Sequence, residues 1–459
     1  MKKLIIMGIF ISVSLILLGC SITETININI LATTDLHGYL PYELTSYVES
    51  EKSREKNTLL VDAGDFFSVG KIGLSMNKYF DERDSDDKYK QEYLEVPLAK
   101  EMQEVGYDAV VLGNHEFIEN NKVQLDNMVS DFEKQGIGVL SANTYKKNGE
   151  NYAKPYLIKN ISTNEGDIKV GILGLTIQEV GQKYTTLSNG AVEAISEGLN
   201  DFEGYNASLY MNDLVEDAKK CVKEMNNDKV DIIVAVVHSG ESSKEIKYPG
   251  NRIQDLAKEV NGIDAIVGGH THKEFAQHDY KNRDGQNVIV TQPGKYGECI
   301  SRINFKVKKS NDEWKIVDKS SELIEFEQSE IDRNTKNLIE NILKDKELEE
   351  IDLVDITPFE WDRAYVFKPN TSSNKIYKTI GYKWQDVKEI DSEDMIQMIF
   401  MKDNEVVCYL FGYEKYLQID FKFNISEYQD SVITITPKEN DKFNISIDSK
   451  WGTVILNHI

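Results

Sequence analysis

The chain has 459 residues, of which 40% are hydrophobic, so it is long enough for two or three globular domains and is not an intrinsically disordered protein. Its formal net charge is −24. A surface this acidic repels the phosphate backbone of a nucleic acid, and we therefore expect no nucleic-acid polymer among its partners.

The N-terminus has the features of a secretory signal. Two lysines precede an apolar run over residues 4–18, which is short for a membrane span and typical of a signal sequence. The run ends in Leu-Leu-Gly-Cys at residues 17–20, which resembles a bacterial lipobox. The resemblance implies that residues 1–20 are a lipoprotein signal peptide and that lipid on Cys20 anchors the protein to the extracellular face of the cell membrane. A plain anchor helix, or a cleaved signal with a chance cysteine, is the alternative.

From residue 25 to residue 325, short apolar runs alternate with amphipathic stretches. The runs, such as Val170 to Leu175 and Ile232 to Val237, are rich in Ile and Val, as buried strands are. Between the runs, the spacing of apolar residues predicts helices over 94–105, 123–135, 209–225 and 253–260. This alternation predicts that residues 25–325 form one domain of the α/β (α+β) class.

Two polar segments interrupt that alternation, residues 71–92 and residues 178–205. The first contains a cluster of charged residues and the second contains several glycines. Both segments are predicted to be exposed loops.

The character of the chain changes after residue 325. Residues 326–354 are charged and predict a helical connector. Residues 355–459 are aromatic and show the polar–apolar alternation of strands, which is clearest over residues 418–425. They predict a smaller, mainly β domain whose role the sequence leaves open.

Residues that could bind metal follow five of the predicted strands. They lie in short segments that each combine a glycine with histidine, carboxylate or amide side chains: Thr34–Gly38, Asp62–Asp65, Gly113–Phe117, Val237–Gly240 and Gly268–His272. Because strand ends converge on the binding crevice of an open α/β sheet, we expect these segments to lie close together.

The side chains of these segments offer imidazole nitrogens, carboxylate oxygens and one amide oxygen. This mixture suits Mn, Zn, Fe or Co better than Ca or Cu(I). So many groups suit two divalent ions bridged by one carboxylate, an arrangement used to hydrolyse phosphate esters. A single motif of this kind is more often a helix cap or a core histidine, but five in succession predict a two-metal site.

The five segments resemble the calcineurin-like metallophosphoesterase superfamily, and within it the branch of 5′-nucleotidases and 2′,3′-cyclic-nucleotide phosphodiesterases. The sequence Gln-Pro-Gly-Lys-Tyr-Gly-Glu at residues 292–298 extends the resemblance, which covers about residues 25–320. It implies a metal-dependent phosphoesterase with a four-layer αββα sandwich, in which two mixed sheets are flanked by helices.

The resemblance also implies a role for each candidate residue. One ion is held by Asp35, His37, Asp65 and His272, and the other by Asp65, Asn114, His238 and His270, so that Asp65 bridges them. A metal-activated hydroxide attacks phosphorus, while His115 stabilises the transition state or protonates the leaving group. Glu116 is expected to orient its neighbours, with an ordinary surface carboxylate as the alternative.

The substrate implied is a small phosphoester, in particular a nucleotide or a cyclic nucleotide. True 5′-nucleotidases bind the base through a large C-terminal domain, and we find no convincing match to its substrate motifs here. Four aromatic residues of the C-terminal region are expected to pack in its core instead of stacking on a base: Trp361, Tyr377, Tyr382 and Trp384.

An alternative function belongs to another class. In it, the protein is a surface lipoprotein whose domain over residues 355–459 binds a partner, with broad or secondary phosphoesterase activity. The sequence leaves the oligomeric state open.

Overall fold

The computed structural model describes residues 25–68, 74–84, 94–182, 184–186, 192–194, 198–202, 204–242, 250–326, 329–384, 387–390, 392–448 and 452–459. The predicted signal peptide and Cys20 lie outside the described residues, so lipidation stays a prediction. In these ranges no helix has the length and the apolar composition needed to cross a membrane.

The N-terminal part of the chain, up to residue 326, is built from strands and helices in alternation. Its strands are β1 (Ile26–Thr33), β2 (Thr58–Asp62), β3 (Ala109–Val111), β4 (Gly138–Leu140), β5 (Thr144–Lys146), β6 (Tyr156–Thr163), β7 (Gly166–Thr176), β8 (Tyr184–Thr186), β9 (Val192–Ala194), β10 (Leu209–Met211), β11 (Ile232–His238), β12 (Ala265–Gly268), β13 (Glu274–Lys281), β14 (Asn287–Pro293), β15 (Cys299–Ser310) and β16 (Glu313–Glu325). Its helices are α1 (Tyr42–Arg54), α2 (Leu74–Arg83), α3 (Pro97–Val105), α4 (Asn114–Ile118), α5 (Lys122–Lys134), α6 (Leu214–Asn227) and α7 (Ile253–Glu259).

Two six-stranded mixed sheets form the centre of this part. The first has the order β16-β15-β1-β2-β3-β4, with β1 to β4 parallel and β15 antiparallel to β1. The second has the order β13-β14-β12-β11-β7-β6, with its four inner strands parallel and both edge strands antiparallel. The inner strands are apolar along their length because helices or the other sheet cover both faces.

The two sheets pack face to face, and helices cover their outer faces. Ile30 of β1 and Val234 of β11 are fully buried in one cluster between the sheets. Leu60 and Phe132 belong to the cluster outside the first sheet, and Leu256 of α7 belongs to the cluster outside the second. The predicted four-layer αββα sandwich is therefore confirmed.

The prediction of an exposed loop over residues 71–92 is wrong for residues 74–83, which form α2. Met76, Tyr79 and Phe80 of this helix are buried. Their spacing places them on one face of a helix. Burial of that apolar face stabilises the helix even though its other face is charged. Residues 85–92 lie outside the described part of the chain.

The predicted helix over residues 209–225 begins later than expected. Its first residues form β10, which pairs with β5, and α6 starts at Leu214. The side chain of Asp213 accepts hydrogen bonds from the backbone N–H groups of Val215 and Glu216 and thereby caps the helix.

The C-terminal part of the chain is smaller and mainly β, as predicted. Its elements are α8 (Glu330–Lys344), β17 (Glu350–Asp352), α9 (Leu353–Ile356), β18 (Arg363–Phe367), α10 (Ser373–Ile380), β19 (Met395–Lys402), β20 (Glu405–Tyr413), α11 (Glu414–Leu417), β21 (Ile419–Lys422), β22 (Val432–Ile435), β23 (Lys442–Ile447) and β24 (Val454–His458). They form two four-stranded sheets, β17-β23-β24-β21 and β20-β19-β18-β22.

The apolar core of the C-terminal part includes the helix α8. Leu338 and Ile342 of α8 pack in the same cluster as Trp361. Tyr377, Tyr382 and Trp384 are partly buried and pack against a second apolar cluster of this part. Trp361 is therefore a core residue, as expected from the sequence, whereas the other three rings are only partly buried.

The two parts of the chain share an apolar cluster. Met395, Tyr413 and Tyr416 of the C-terminal part are buried together with Met76 and Phe80 of α2. The C-terminal part is therefore packed directly against the helical layer of the first sheet.

Candidate metal centre

All seven predicted metal ligands lie at the carboxyl ends of parallel strands. The turn after β1 carries Asp35 and His37, and the turn after β2 carries Asp65. Asn114 is the first residue of α4, which follows β3. In the second sheet, His238 ends β11, and His270 and His272 follow β12. The fold therefore brings ligands from both sheets to one end of the sandwich.

The backbone of five of these residues lies in the left-handed region. Their φ angles are 52° for Asp35, 48° for His37, 55° for Asp65, 70° for His270 and 54° for His272. Such a conformation costs a residue other than glycine about 1–3 kcal/mol, and proteins hold it mainly at functional sites. Hydrogen bonds between turns compensate, since Asp35 N donates to Gly64 O and His37 N to Asp65 O, each at 2.9 Å.

The first group of ligands is formed by Asp35, His37 and His272, whose donor atoms all lie within 4.8 Å of one another. His272 Nε2 lies 3.3 Å from His37 Nε2 and 3.3 Å from Asp35 Oδ1. The other oxygen of Asp35 accepts hydrogen bonds from Thr34 Oγ1 at 2.7 Å and from His270 N at 3.0 Å. These two bonds orient the carboxylate so that Oδ1 faces the histidines.

The second group is formed by Asp65, His238 and His270, with donor atoms again within 4.8 Å of one another. His238 Nε2 lies 3.1 Å from Asp65 Oδ2. Asn114 Oδ1 lies 3.1 Å from that Nε2 and 2.9 Å from His270 Nδ1. His238 Nδ1 donates to Ala63 O at 2.8 Å, which leaves Nε2 as the atom that offers a lone pair to the group.

The donor set fits two divalent cations. Asp35 Oδ1 is buried and accepts no hydrogen bond from any described residue, a costly state that a cation would relieve. Burial lowers the pKa of His37 and of His270 to about 4, so both rings are neutral at pH 7 and offer lone pairs. Burial opposes protonation of His238, but the neighbouring Asp65 carboxylate raises its pKa to about 10. A cation between these two side chains would take the place of that proton.

His115 lies beside both groups and belongs to neither. Its backbone N–H donates to Asp65 Oδ1 at 2.8 Å, and its ring centre lies 4.9 Å from that of His37, edge to face. Its Nδ1 lies 3.3 Å from Glu119 Oε1 and 3.4 Å from Ser68 Oγ. Burial lowers the pKa of His115, but the Glu119 contact and the Asp65 carboxylate outweigh it and raise the pKa above the usual value. The ring is therefore suited to carry a proton at neutral pH.

Glu116 is fully buried, so the alternative of an ordinary surface carboxylate is wrong. Its carboxylate accepts hydrogen bonds from three backbone N–H groups: Asp65 at 3.1 Å, Phe67 at 2.8 Å and Gly113. One side chain thus fixes the turn that carries Asp65 relative to the turn that precedes Asn114.

Asp62 has a comparable role that the sequence did not reveal. It is buried and accepts hydrogen bonds from Thr33 Oγ1 at 2.6 Å and from Gly64 N at 2.8 Å. Gly64 has a φ of 95°, and a Cβ there would lie 2.7 Å from His238 Nδ1, so the turn requires glycine. The feature of the sequence that could have pointed to Asp62 is its position as the first acidic residue of the Asp-Ala-Gly-Asp segment.

Tyr296 is a second neighbour of the centre that was not singled out. Its backbone N–H donates to Asp35 O at 2.9 Å, and its ring centre lies 5.4 Å from that of His37. The ammonium group of Lys295 lies 4.9 Å from the centre of the Tyr296 ring. A non-glycine φ of 55° at Tyr296 marks the position as constrained, and this was not visible in the sequence.

Comparison with known proteins places this geometry in a family. Residues 28–274 match the calcineurin-like phosphoesterase family. The chain is 28% identical over 327 residues to the trifunctional nucleotide phosphoesterase protein YfkN of Bacillus subtilis. This alignment covers 65% of this chain and 21% of the relative. It is 24% identical over 340 residues to a 2′,3′-cyclic-nucleotide 2′-phosphodiesterase/3′-nucleotidase of Yersinia enterocolitica, covering 67% and 48%.

Two further comparisons agree. A 5′-nucleotidase of Vibrio vulnificus is 31% identical over 232 residues, which is 46% of this chain and 37% of that protein. The crystal structure of YfkN from Bacillus subtilis aligns with a TM-score of 0.52 and 25% identity over 66% of this chain and 91% of that one. The chain spans between about a fifth and about half of the length of the first two of these curated relatives. It belongs to the calcineurin-like phosphoesterase family.

Proposed function

We propose that this protein is an extracellular, lipid-anchored phosphohydrolase that uses two divalent ions to cleave phosphate esters of nucleotides or cyclic nucleotides. The observation that carries the proposal is the pair of adjacent ligand groups, Asp35 with His37 and His272, and Asp65 with His238 and His270. The relatives named for nucleotide phosphoesterase and nucleotidase activities support the choice of substrate class.

The residues around the two groups complete the coordination. Asn114 Oδ1 lies close to both histidines of the second group and would be its fourth ligand. Asp65 uses Oδ2 toward His238 and Oδ1 toward the backbone of His115, and its carbonyl oxygen accepts from His37 N. It therefore contacts residues of both groups and would bridge the ions. Mn, Zn, Fe and Co accept this mixture of imidazole, carboxylate and amide donors.

When bound, the two ions would lower the pKa of a water molecule that can attack phosphorus and would neutralise charge on the phosphoryl oxygens. His115 would hold the proton that the leaving oxygen takes up as the ester bond breaks. Glu119 and Asp65 raise the pKa of that ring against the effect of burial, and their contacts hold the residue in place. Glu116 would hold the bridging carboxylate in register with Asn114, so that the site does not reorganise during the reaction.

Hydrolysis of a panel of esters tests the substrate class. The products formed by the metal-loaded protein from 5′-AMP, 3′-AMP, 2′,3′-cyclic AMP, UDP-glucose and an aryl phosphate would be separated and measured by chromatography, because cleavage of the cyclic ester or of UDP-glucose releases no inorganic phosphate. We expect one of the adenine esters to exceed the aryl phosphate in kcat/KM by about tenfold or more, which corresponds to about 1.4 kcal/mol of selective binding. Equal kcat/KM for all of them would replace the nucleotidase assignment with a phosphoesterase of broad specificity.

The location is tested at Cys20. The support for anchoring is the sequence of residues 1–20 alone. We expect the wild-type protein to incorporate fatty acid and to sediment with membranes, and the Cys20→Ala variant to do neither. Membrane retention of the variant without acylation would show that the N-terminal segment acts as a plain anchor.

A further inference from the structure

The helix α2 lies directly against the turn that carries His37. A Cβ atom added to Gly38 would lie 3.2 Å from the Cβ of Met76 in α2 and 2.7 Å from the carbonyl oxygen of Ser68. Gly38 has a φ of 76°, so the turn both needs glycine and leaves no space between itself and the helix. A shift of α2 would therefore displace the turn that carries His37.

The same helix also supports the segment next to His115. The rings of Tyr79 and Phe80 pack against Phe67, with ring centres 5.9 Å and 5.2 Å from it. The residue after Phe67 is Ser68, whose hydroxyl lies 3.4 Å from His115 Nδ1. One face of α2 thus contacts the surroundings of both histidines.

The other side of α2 is held by the C-terminal part of the chain. The hydroxyl of Tyr416 in α11 donates to Asp81 Oδ1 at 3.0 Å and to the carbonyl oxygen of Asn77 at 3.3 Å. Lys415 Nζ donates to the same oxygen of Asp81 at 2.9 Å. Tyr416 is only 6% exposed and packs edge to face on Tyr413, so its hydroxyl makes these bonds at a buried contact, whereas the side chains of Lys415 and Asp81 are partly exposed.

We propose that Tyr416 and Lys415 are positioning residues for catalysis. Through Asp81 they fix α2 against the turns beside His37 and His115, so the C-terminal part of the chain is required for the full catalytic rate. The proposal rests on the catalytic role proposed above for His115. It assigns to α11 a function at a site that it does not touch.

The physical reason lies in the tolerance of catalysis for misplaced groups. A displacement of about 1 Å at a reacting group can lower a rate by about a hundredfold. Removal of the Tyr416 hydroxyl, on the other side of α2, would displace the helix by less than this 1 Å. We expect Tyr416→Phe to lower kcat by about three- to tenfold and to change KM by less than about twofold, because the ions hold the phosphoryl group equally in both proteins.

The experiment compares wild type, Tyr416→Phe, Asp81→Ala and the double variant, each as the full metal-loaded chain. Hydrogen exchange of the amides of α2 is measured together with kcat and KM for an aryl phosphate. Tyr428→Phe is the control, because Tyr428 packs on Phe423 within the C-terminal part. We expect faster exchange in α2 and lower kcat in both single variants, no further loss in the double variant, and no change in the control.

Two results would overturn the proposal. Unchanged exchange in α2 would show that the interface does not hold the helix, and faster exchange with wild-type kcat would show that its role is structural only. If Tyr416→Phe fails to fold, Asp81→Ala decides alone, since Asp81 is partly exposed. A wild-type protein that turns over no ester would refute the proposed function, while the exchange data would still decide whether α11 holds α2.

Discussion

His37 and His272 are separated by 235 positions in the sequence, yet their Nε2 atoms lie 3.3 Å apart. Both atoms also face the unpaired Oδ1 of Asp35, which lies 3.3 Å from His272 Nε2. Two imidazole nitrogens and a carboxylate oxygen that lie this close together are best reconciled by a cation between them. Loss of one member should therefore empty this position.

The variant His272→Ala tests that expectation. We predict that purified protein binds one divalent ion per chain in place of two, and that kcat/KM falls by about 10³ or more, because an ion contributes several kcal/mol of charge stabilisation in the transition state. Metal content is measured by elemental analysis alongside turnover. His278→Ala is the control, since His278 is half exposed on β13 and should keep both ions. Two ions in His272→Ala would contradict the ligand assignment.

The proton held by His115 should matter most for a poor leaving group. We predict that His115→Gln lowers kcat for a nucleoside monophosphate by about 10²–10⁴, the usual contribution of a general acid. The loss should be much smaller for 4-nitrophenyl phosphate, whose leaving group departs without a proton. Metal content should stay at the wild-type value. An equal loss for both esters would argue that His115 does not protonate the leaving group.

Removal of Glu116 should cost stability as well as activity. Glu116→Ala leaves three buried backbone N–H groups without an acceptor, at about 1–3 kcal/mol each. We predict a clearly lower midpoint of thermal unfolding and a large loss of turnover. The matched control is Glu119→Ala on the next turn, which should keep the unfolding midpoint and change only the dependence of kcat on pH. Similar midpoints for the two variants would contradict the role given to Glu116.

The C-terminal part should become less stable as the pH rises from about 4.5 to about 7. Burial and the nearby Asp420 carboxylate raise the pKa of Glu414 from 4.5 to about 7, against the opposing effect of Lys422. The folded state therefore binds this proton more tightly than the unfolded state, and stability falls with pH between the two pKa values. We predict that Glu414→Gln removes this decline in thermal midpoint, whereas Glu405→Gln on an exposed strand end leaves it unchanged. A decline of the same size in Glu414→Gln would assign it to another group.

Much of the arrangement around the site could be predicted because its signals are local. Strands such as β11 are short runs of buried Ile and Val, and each ligand stands within a few residues of a strand end. These local signals therefore predicted an α/β domain and a common location for His238 and Asp65, whereas the two mixed sheets were implied by the resemblance to the family. Which ion each residue holds stays a prediction that the metal analysis must test.

What could not be predicted depends on contacts between distant residues. The helix α2 was missed because charged residues from Asp81 onward dominate the segment, although Met76, Tyr79 and Phe80 have helical spacing. Nothing near Asp81 in the sequence indicates that Tyr416 lies beside it, 335 positions later. The side chain of Glu116 was left open for the same reason, since its three partners come from two separate turns.

Metal-dependent release of phosphate tests the central claim most directly. The full chain would be stripped with a chelator, reloaded with Mn²⁺, and assayed on an aryl phosphate beside the Asp65→Asn variant. The two-metal assignment predicts turnover that disappears with the chelator, returns when about two ions per chain are bound, and is lost in Asp65→Asn. Turnover that persists in the stripped protein, or in Asp65→Asn, would contradict it.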